Sequence, residues 1–412
     1  MIDLILVECP NLALENPKMY FSLGNLYLFS AVRKAGFNVR LLDFRAGVGE
    51  IPQAKFYGFS CTTPQIKIAK QLAKQVSGKT IVGGAHASLL PDDCVGDFDY
   101  IVKGEGEETL VNILKGSEKE GIISSPRIEN LDTLCFPAWD SVHEPFSNTL
   151  YSGERYGEGE FSMAVITSRG CRWLCHYCGN IYHKTKFRSV NNIIGELNEL
   201  MSRNIYHFRF VDDNFTLFPE LFELCKQLGQ LKINYRCHTR SDLITSNKAK
   251  ALKDSGCEEC SLGIESADPF VLKLNNKKET VEAHHRAIQL LKDAKIKIKF
   301  YWMSGLPGET DETVTLNIKF MEETKPEKYT LSTFTPYPGC QIYNNPAKFG
   351  IEIINKNWDN WWNFVMPVLG KDLPGRAGYV HILKGQTMEQ MIARYWKFQH
   401  FLEDYDRKYD KH

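Results

Sequence analysis

The sequence predicts two α/β domains in series. The first is a doubly wound, Rossmann-like parallel sheet, the second a partial (β/α)6 barrel of the TIM type, and a short α-helical, aromatic-rich C-terminal region follows. Three observations predict this. Apolar runs of strand length alternate with stretches of helical periodicity, and such alternation calls for a parallel sheet with helices on its faces. The alternation lapses once, where Pro126, Pro137, Pro145, Gly153, Gly157 and Gly159 stand among polar residues. The 412 residues also exceed one ordinary core, at roughly 150 residues per domain. The expected divisions are therefore 1–125, a connection over 126–160, the barrel over 161–345 and an extension over 346–412.

In chain order, the apolar run at 4–7 predicts a strand, 23–34 a helix ended by Gly36, and 39–42 a second strand closing on Asp43. Strands at 56–60, 80–82 and 100–102 continue the series, with a helix over 65–75. After the connection, strands are expected at 163–167, 208–211, 234–238, 259–263, 297–303 and 329–334. Helices fall near 190–203, 219–228, 247–255, 281–294 and 312–324, and a last one spans 388–404. In such sheets and barrels ligands bind at the carboxyl ends of the strands.

Composition narrows the function. The chain is 43% hydrophobic and 24% charged, as folded globular chains are. Fifty basic residues balance fifty acidic ones, so no overall field holds a polyanion, which disfavours nucleic acid. Charge breaks every apolar run well before membrane-spanning length, and no signal-peptide pattern stands at Met1-Ile2-Asp3. Twelve cysteines scattered along a long chain point to a reducing, cytoplasmic compartment, where clustered thiols bind metal or do redox chemistry.

One cluster stands out. Cys171, Cys175 and Cys178 follow directly on the strand at 163–167, and three soft sulfur ligands on a strand-end loop select zinc or an iron–sulfur species. A structural zinc site needs a closed shell of four ligands, whereas three leave one metal position open. His176 is the fourth ligand at hand, but it lies between two of the cysteines and would have to double back.

The spacing C-x3-C-x2-C, with Tyr177 before the third cysteine, resembles the radical S-adenosylmethionine (SAM) superfamily. The likeness continues in order through Val211-Asp212-Asp213-Asn214-Phe215, Thr239-Arg240-Ser241-Asp242 and Leu262-Gly263-Ile264-Glu265-Ser266. Gly305-Leu306-Pro307-Gly308-Glu309-Thr310 and Pro336-Tyr337-Pro338-Gly339 complete it. The resemblance implies that the three cysteines hold a [4Fe-4S] cluster whose open iron chelates SAM. One electron, from an external reductant of flavodoxin or ferredoxin type, would then cleave SAM to a 5'-deoxyadenosyl radical.

The resemblance also suggests roles. Tyr177, Asp212, Arg240, Glu265 and Gly305 become candidate SAM-binding residues. Beside that stand plainer readings: Arg240 and Glu265 as a buried ion pair, Asp212 and Asp213 as the start of the next helix, and Gly305 and Gly308 as an ordinary turn. Cys257 and Cys260, three apart on a strand, are expected to face opposite sides as buried small hydrophobes.

The first domain resembles the cobalamin-binding domain that precedes the radical barrel in one branch of that superfamily. Its marks are Leu42-Asp43, Ser60-Cys61-Thr62, Gly83-Gly84-Ala85-His86-Ala87 and Lys103-Gly104-Glu105-Gly106-Glu107-Glu108-Thr109. The resemblance implies that Ser60, Thr62, Thr63, Gly83 and Gly84 line the cobalamin site. His86 is a candidate by residue type alone. After the first strand stands Glu8-Cys9-Pro10-Asn11-Leu12, with no histidine to ligate cobalt. Methylthiotransferases share the barrel motifs and carry a second cluster on an N-terminal domain, for which Cys9, Cys61 and Cys94 are the candidates.

These readings combine into a cobalamin-dependent radical SAM enzyme that methylates an unactivated carbon or phosphorus centre of a small molecule, with methylcobalamin as the methyl donor. The alternatives are a non-methylating rearrangement, cyclisation or oxidation on the same scaffold, a methylthiotransferase-like enzyme, and a non-catalytic metal-binding protein. The substrate is not legible, although Trp358, Trp361, Trp362, Phe364, Tyr379 and Trp396 form an aromatic set that either walls a pocket or builds core.

Overall fold

A computed structural model describes residues 1–10, 22–45, 47–142, 154–156, 160–363, 366–367, 372–373 and 376–409. Asn11, Leu12, Pro145, Gly153, Gly157, Gly159 and Phe364 lie outside them. The chain forms two compact units, Met1–Ser162 and Met163–His412.

The first unit is a six-stranded parallel sheet. Its strands are β1 (Ile2–Glu8), β2 (Val39–Asp43), β3 (Ala54–Ser60), β4 (Lys79–Gly83), β5 (Tyr100–Lys103) and β6 (Gly121–Ser124), in the order β2-β1-β3-β4-β5-β6. Four helices connect them: α1 (Leu23–Lys34), α2 (Ile66–Ala73), α3 (Gly84–Leu89) and α4 (Glu107–Leu114). Ser22 starts α1 by accepting the Asn25 amide, and the apolar face of α1 joins Leu4, Leu6, Ile81, Val102, Leu110 and Ile113 in one core. The strand order reverses between β1 and β3, and the crevice at such a reversal is where doubly wound sheets bind ligands. Helices α3 and α4 and strand β6 are too short to show a clear periodicity and were not expected.

The second unit carries most of a seven-stranded sheet in the order β15-β14-β13-β12-β11-β8-β7, of which β7 and the start of β8 precede Met163 in sequence. The strands are β7 (Glu154–Tyr156), β8 (Glu160–Val165), β11 (His207–Phe210), β12 (Asn234–Thr239), β13 (Cys257–Glu265), β14 (Lys297–Ser304) and β15 (Lys328–Thr333). A small antiparallel pair, β9 (Ser168–Arg169) and β10 (Lys186–Phe187), lies between β8 and β11 in sequence. The connecting helices are α5 (Val190–Met201), α6 (Leu221–Leu231), α7 (Ser246–Asp254), α8 (Pro269–Leu274), α9 (Val281–Asp293) and α10 (Asp311–Thr324). Beyond β15 come α11 (Gln341–Asn344) and the long α12 (Met388–Tyr409). The extension, expected to be helical, also holds an antiparallel strand pair, Ile351–Ile353 with His381–Leu383.

Strand β13 is irregular at both ends, and each irregularity re-aims a polar or thiol side chain. Near its start, Tyr235 pairs with Cys257 but Arg236 with Glu259, so one extra residue is accommodated. That bulge overturns the expectation for Cys257 and Cys260: their sulfurs lie 3.9 Å apart on one face. At its end the register shifts again between Gly263 and Glu265, and Glu265 takes a φ of 61°. The aromatic set is largely core: Trp361, Trp362 and Tyr379 are buried, and Trp396 packs at the edge of the cluster around Tyr379.

Candidate functional site

The cysteine loop leaves the carboxyl end of β8 and is closed at its neck by the β9–β10 pair. Gly170 belongs to that neck, since a Cβ there would lie 2.7 Å from the Tyr182 carbonyl. The Cys171 amide donates to the same carbonyl at 3.0 Å. Farther along, the loop is tied to the turn between α8 and α9: Asn276 Nδ2 donates to the Leu174 carbonyl at 2.6 Å, and the His176 amide to the Asn275 carbonyl at 3.0 Å. A local turn, Cys178 amide to Cys175 carbonyl at 3.1 Å, brings the last two cysteines round.

The donor set fits a cluster with an open metal position. Asn214 Nδ2 donates to Cys171 Sγ at 3.4 Å, the kind of bond to sulfur that tunes such centres. His176 is the loop's anchor: its Nδ1 donates to the Leu274 carbonyl at 3.0 Å and its ring packs 4.9 Å from that of Phe349. These two contacts fix the ring in place. Burial raises the Cys171 thiol, and Asp213 lies near enough to Cys171 and Cys178 to oppose their ionisation. A bound metal would reverse that preference.

Beside the loop lies a buried charge network, only half of it legible in the sequence. Glu265 meets Lys277 Nζ at 3.3 Å, and Lys277 Nζ meets Glu279 at 3.2 Å. Glu279 in turn faces Arg240 at 3.5 Å and accepts the Ser241 amide at 2.7 Å, while Arg240 also pairs with Asp242 at 3.0 Å. Arg240 and Glu265 are thus joined through Lys277 and Glu279. The Arg240 guanidinium sits 4.6 Å from the Trp173 ring, so a residue of the cysteine loop packs directly on the network. Burial raises the Glu265 carboxyl, while Lys277 acts against that shift. Tyr177 is half-buried, and burial of its hydroxyl raises the phenol, with Glu265 and Cys175 adding to the shift.

Space for the Glu265–Lys277 pair comes from Gly263, where a Cβ would lie 2.6 Å from Glu265 Oε1 and 3.1 Å from Lys277 Nζ. Lys277, Glu279, Trp173 and Asn214 were not expected as site residues. The run 275–280 is polar throughout in sequence, and the alternation that buries Lys277 and Glu279 just before the Thr280 cap of α9 shows only in the fold.

Two candidate SAM contacts have other work. Asp212 is buried and accepts from the Thr167 amide at 2.9 Å, the Thr167 hydroxyl at 3.0 Å and the Ser168 hydroxyl at 2.6 Å. It clamps the exit of β8, and burial pushes its carboxyl up to about 6. Gly305 is covered by Tyr379: a Cβ there would lie 2.5 Å from the ring, and its φ of 87° is one side chains rarely adopt. Its carbonyl accepts from His381 Nε2 at 2.8 Å, and its amide donates to Glu309 at 2.8 Å.

In the first unit, Glu8 and Cys9 at the end of β1 and Ser60, Cys61 and Thr62 at the end of β3 stand at the topological switch point. Gly83 is roomy, with nothing nearer than 3.9 Å to a built Cβ. Gly84 is crowded, its Cβ position 2.8 Å from the Cys61 amide nitrogen and carbonyl. The Thr62 hydroxyl donates to Gln65 at 2.8 Å, and Thr63 pairs with His86 Nδ1 at 3.3 Å. His86 Nε2 pairs with Asp93 at 3.0 Å, so both ring nitrogens of this fully buried histidine are engaged, which withdraws it as a cobalt ligand. The room fits a cobalamin tail at Gly83 and Ser60, with Thr62 and Thr63 shaping the loop around it. Cys9 and Cys61 lie 4.0 Å apart, whereas Cys94 bonds back to the Leu90 carbonyl of its own turn.

Comparison with known proteins agrees with this arrangement. The family model of the radical SAM superfamily matches residues 165–321, and that of the B12 binding domain matches 17–114. The chain is 29% identical over 321 residues to the uncharacterized methyltransferase PH0819 of Pyrococcus horikoshii, covering 71% of this chain and 67% of that one. It is 24% identical to the bacteriochlorophyllide d C-12(1)-methyltransferase of Chlorobaculum tepidum, over 88% of this chain and 81% of that one. With the anaerobic magnesium-protoporphyrin IX monomethyl ester cyclase of Rubrivivax gelatinosus it shares 25% identity, over 83% of this chain and 65% of the cyclase. Its fold is similar to that of the radical SAM methyltransferase TsrM from Kitasatospora setae, solved with cobalamin and a [4Fe-4S] cluster, with a TM-score of 0.71 at 15% identity and coverage of 97% and 91%.

Proposed function

The chain belongs to the radical SAM enzymes that carry a B12-binding domain, and from that premise we propose that it methylates an unactivated carbon or phosphorus centre of a small molecule. Bound together, the [4Fe-4S] cluster and SAM supply a carbon-centred radical that removes a substrate hydrogen, and cobalamin supplies the methyl group. The observation that carries the reading is the pairing of a three-thiol loop at a strand end with a doubly wound sheet that is open at Gly83, the end of β4 beside β3.

The chain's own residues have these parts. Cys171, Cys175 and Cys178 hold the cluster, and Asn214 steadies the first of them. Glu265, aimed by its left-handed backbone and backed by Lys277, is the group placed to accept hydrogen bonds from SAM, with Tyr177 beside it. Arg240 acts through Trp173 as a positioning residue. An external one-electron reductant of flavodoxin or ferredoxin type completes the system. A reducing cytoplasm is part of the same proposal and rests on the twelve scattered cysteines, and among the described residues no helix is long and apolar enough to cross a membrane.

The test is anaerobic reconstitution with iron, sulfide and cobalamin, followed by SAM and a strong reductant. We expect both 5'-deoxyadenosine and S-adenosylhomocysteine, the latter only when cobalamin is present. Formation of 5'-deoxyadenosine alone would favour the non-methylating reading that the cyclase relatives represent, and absence of both would overturn the assignment.

A further inference from the structure

The barrel unit holds a second set of thiols that the cysteine loop does not use. Cys237 of β12 and Cys260 of β13 are register partners on adjacent parallel strands, with sulfurs 3.7 Å apart. The bulge at the start of β13 turns Cys257 to the same face, 3.9 Å from Cys260. All three sulfurs fall within 4.8 Å of one another, and all three residues are fully buried. Cys225 of α6 stands outside that 4.8 Å set but near enough to influence Cys257 and Cys260, and it shares hydrogen bonds with Tyr235 and Ser255.

We propose that Cys237, Cys257 and Cys260, with Cys225 as fourth donor, form a site for a soft divalent cation of the zinc class, separate from the cluster loop. At a metal–sulfur distance of about 2.3 Å, tetrahedral ligation sets sulfurs about 3.8 Å apart. The Cys237–Cys260 and Cys257–Cys260 separations match that spacing. On binding, each ligating thiol exchanges its S–H bond for a sulfur–metal bond and releases the proton to solvent; no electron changes hands. The hydroxyls of Tyr235 and Ser255, 2.6 Å apart beside Cys225, supply donors to a sulfur set left with excess negative charge. Because the ligands come from α6, β12 and β13, the cation would tie the helix layer to the sheet.

This site does not depend on the reaction assigned above, and its test is spectroscopic. Full-length chain carrying Cys171→Ala, Cys175→Ala and Cys178→Ala is produced in zinc-limited, corrinoid-free medium supplied with Co2+, so that neither cluster nor cobalamin contributes absorption. One bound cobalt per chain is expected, with sulfur-to-cobalt charge transfer and the intense visible bands of tetrahedral thiolate ligation. Adding Cys237→Val or Cys260→Val should abolish the bands, and adding Cys9→Ala with Cys61→Ala should leave them. If a Val variant fails to fold by circular dichroism, Cys260→Ser, which keeps the volume, replaces it with the same expected loss. A folded chain without these bands, or bands that survive Cys237→Val or vanish with Cys9→Ala and Cys61→Ala, would overturn the proposal.

Discussion

At the residue scale, buried charge decides most. Lys277 is enclosed with Glu265 and Glu279, and its removal would leave Glu265 without its cation and Glu279 with Arg240 alone. Breaking one partner from such a set costs roughly 3–5 kcal/mol. Lys277→Met should therefore lower the unfolding midpoint in urea sharply at pH 8 and less at pH 5, where Glu265, its carboxyl raised by burial, takes up a proton more readily. An unchanged midpoint at pH 8 would mean that Glu265 does not need Lys277 as its counter-charge. Glu8 offers the opposite sign. It is buried at the end of β1, accepts from Asn25 at 2.6 Å, and burial pushes its carboxyl from the ordinary 4.5 to about 7. A carboxyl raised in the folded state opposes folding once it ionises, so stability falls as pH rises from about 4.5 through about 7. Glu8→Gln should be more stable than the natural chain at pH 8, by up to about 3 kcal/mol, and nearly equal to it at pH 4.5. Equal stability at both values would contradict the burial argument. Neither Lys277 nor Glu8 could be singled out from the sequence, because a charged residue next to a strand or turn reads as solvated until the backbone shows what covers it.

At the scale of elements, strands and long helices were legible because their periodicity spans enough residues. Helix α1 falls on the expected 23–34, and the expected strands fall within three residues of their observed ends. The bulges of β13 were not legible, since an extra residue leaves the apolar pattern almost unchanged while turning Cys257 and Glu265 to new faces. The end of that strand supplies a prediction. Gly263→Ala puts a methyl where the Glu265–Lys277 contact lies, and both obstructing atoms belong to the far ends of side chains. The fold should survive, with the Glu265 carboxylate displaced. SAM should then bind at least several-fold more weakly while the melting temperature stays close to that of the natural chain. Unchanged SAM affinity would remove Glu265 from the cofactor's surroundings.

At the scale of the whole molecule, the sequence showed two α/β units and the order of their motifs, because each motif follows a strand whose carboxyl end is the binding end. It did not show which motif residues touch ligand and which hold the loops, as Asp212, Gly305 and His86 illustrate: residue type is the same in both roles, and only burial and partners separate them. The two proposed cofactor sites stand on different units, the thiol loop in Met163–His412 and the switch-point crevice in Met1–Ser162. Their loading should therefore be separable. Replacing Cys171, Cys175 and Cys178 with Ala should remove the iron of the cluster while the protein still retains corrinoid. Gly83→Val fills the one roomy position beside the crevice without meeting backbone closer than 3.9 Å at its Cβ, so the chain should fold, keep about four irons and lose corrinoid. Gly84→Val would not serve, since its Cβ would strike Cys61 and cost roughly 1–3 kcal/mol in strain. Iron and cobalt measured on the same anaerobic samples decide the matter. A folded Gly83→Val protein that keeps its corrinoid would place the nucleotide tail elsewhere on the sheet, and one that loses both metals would show that the two sites load as one.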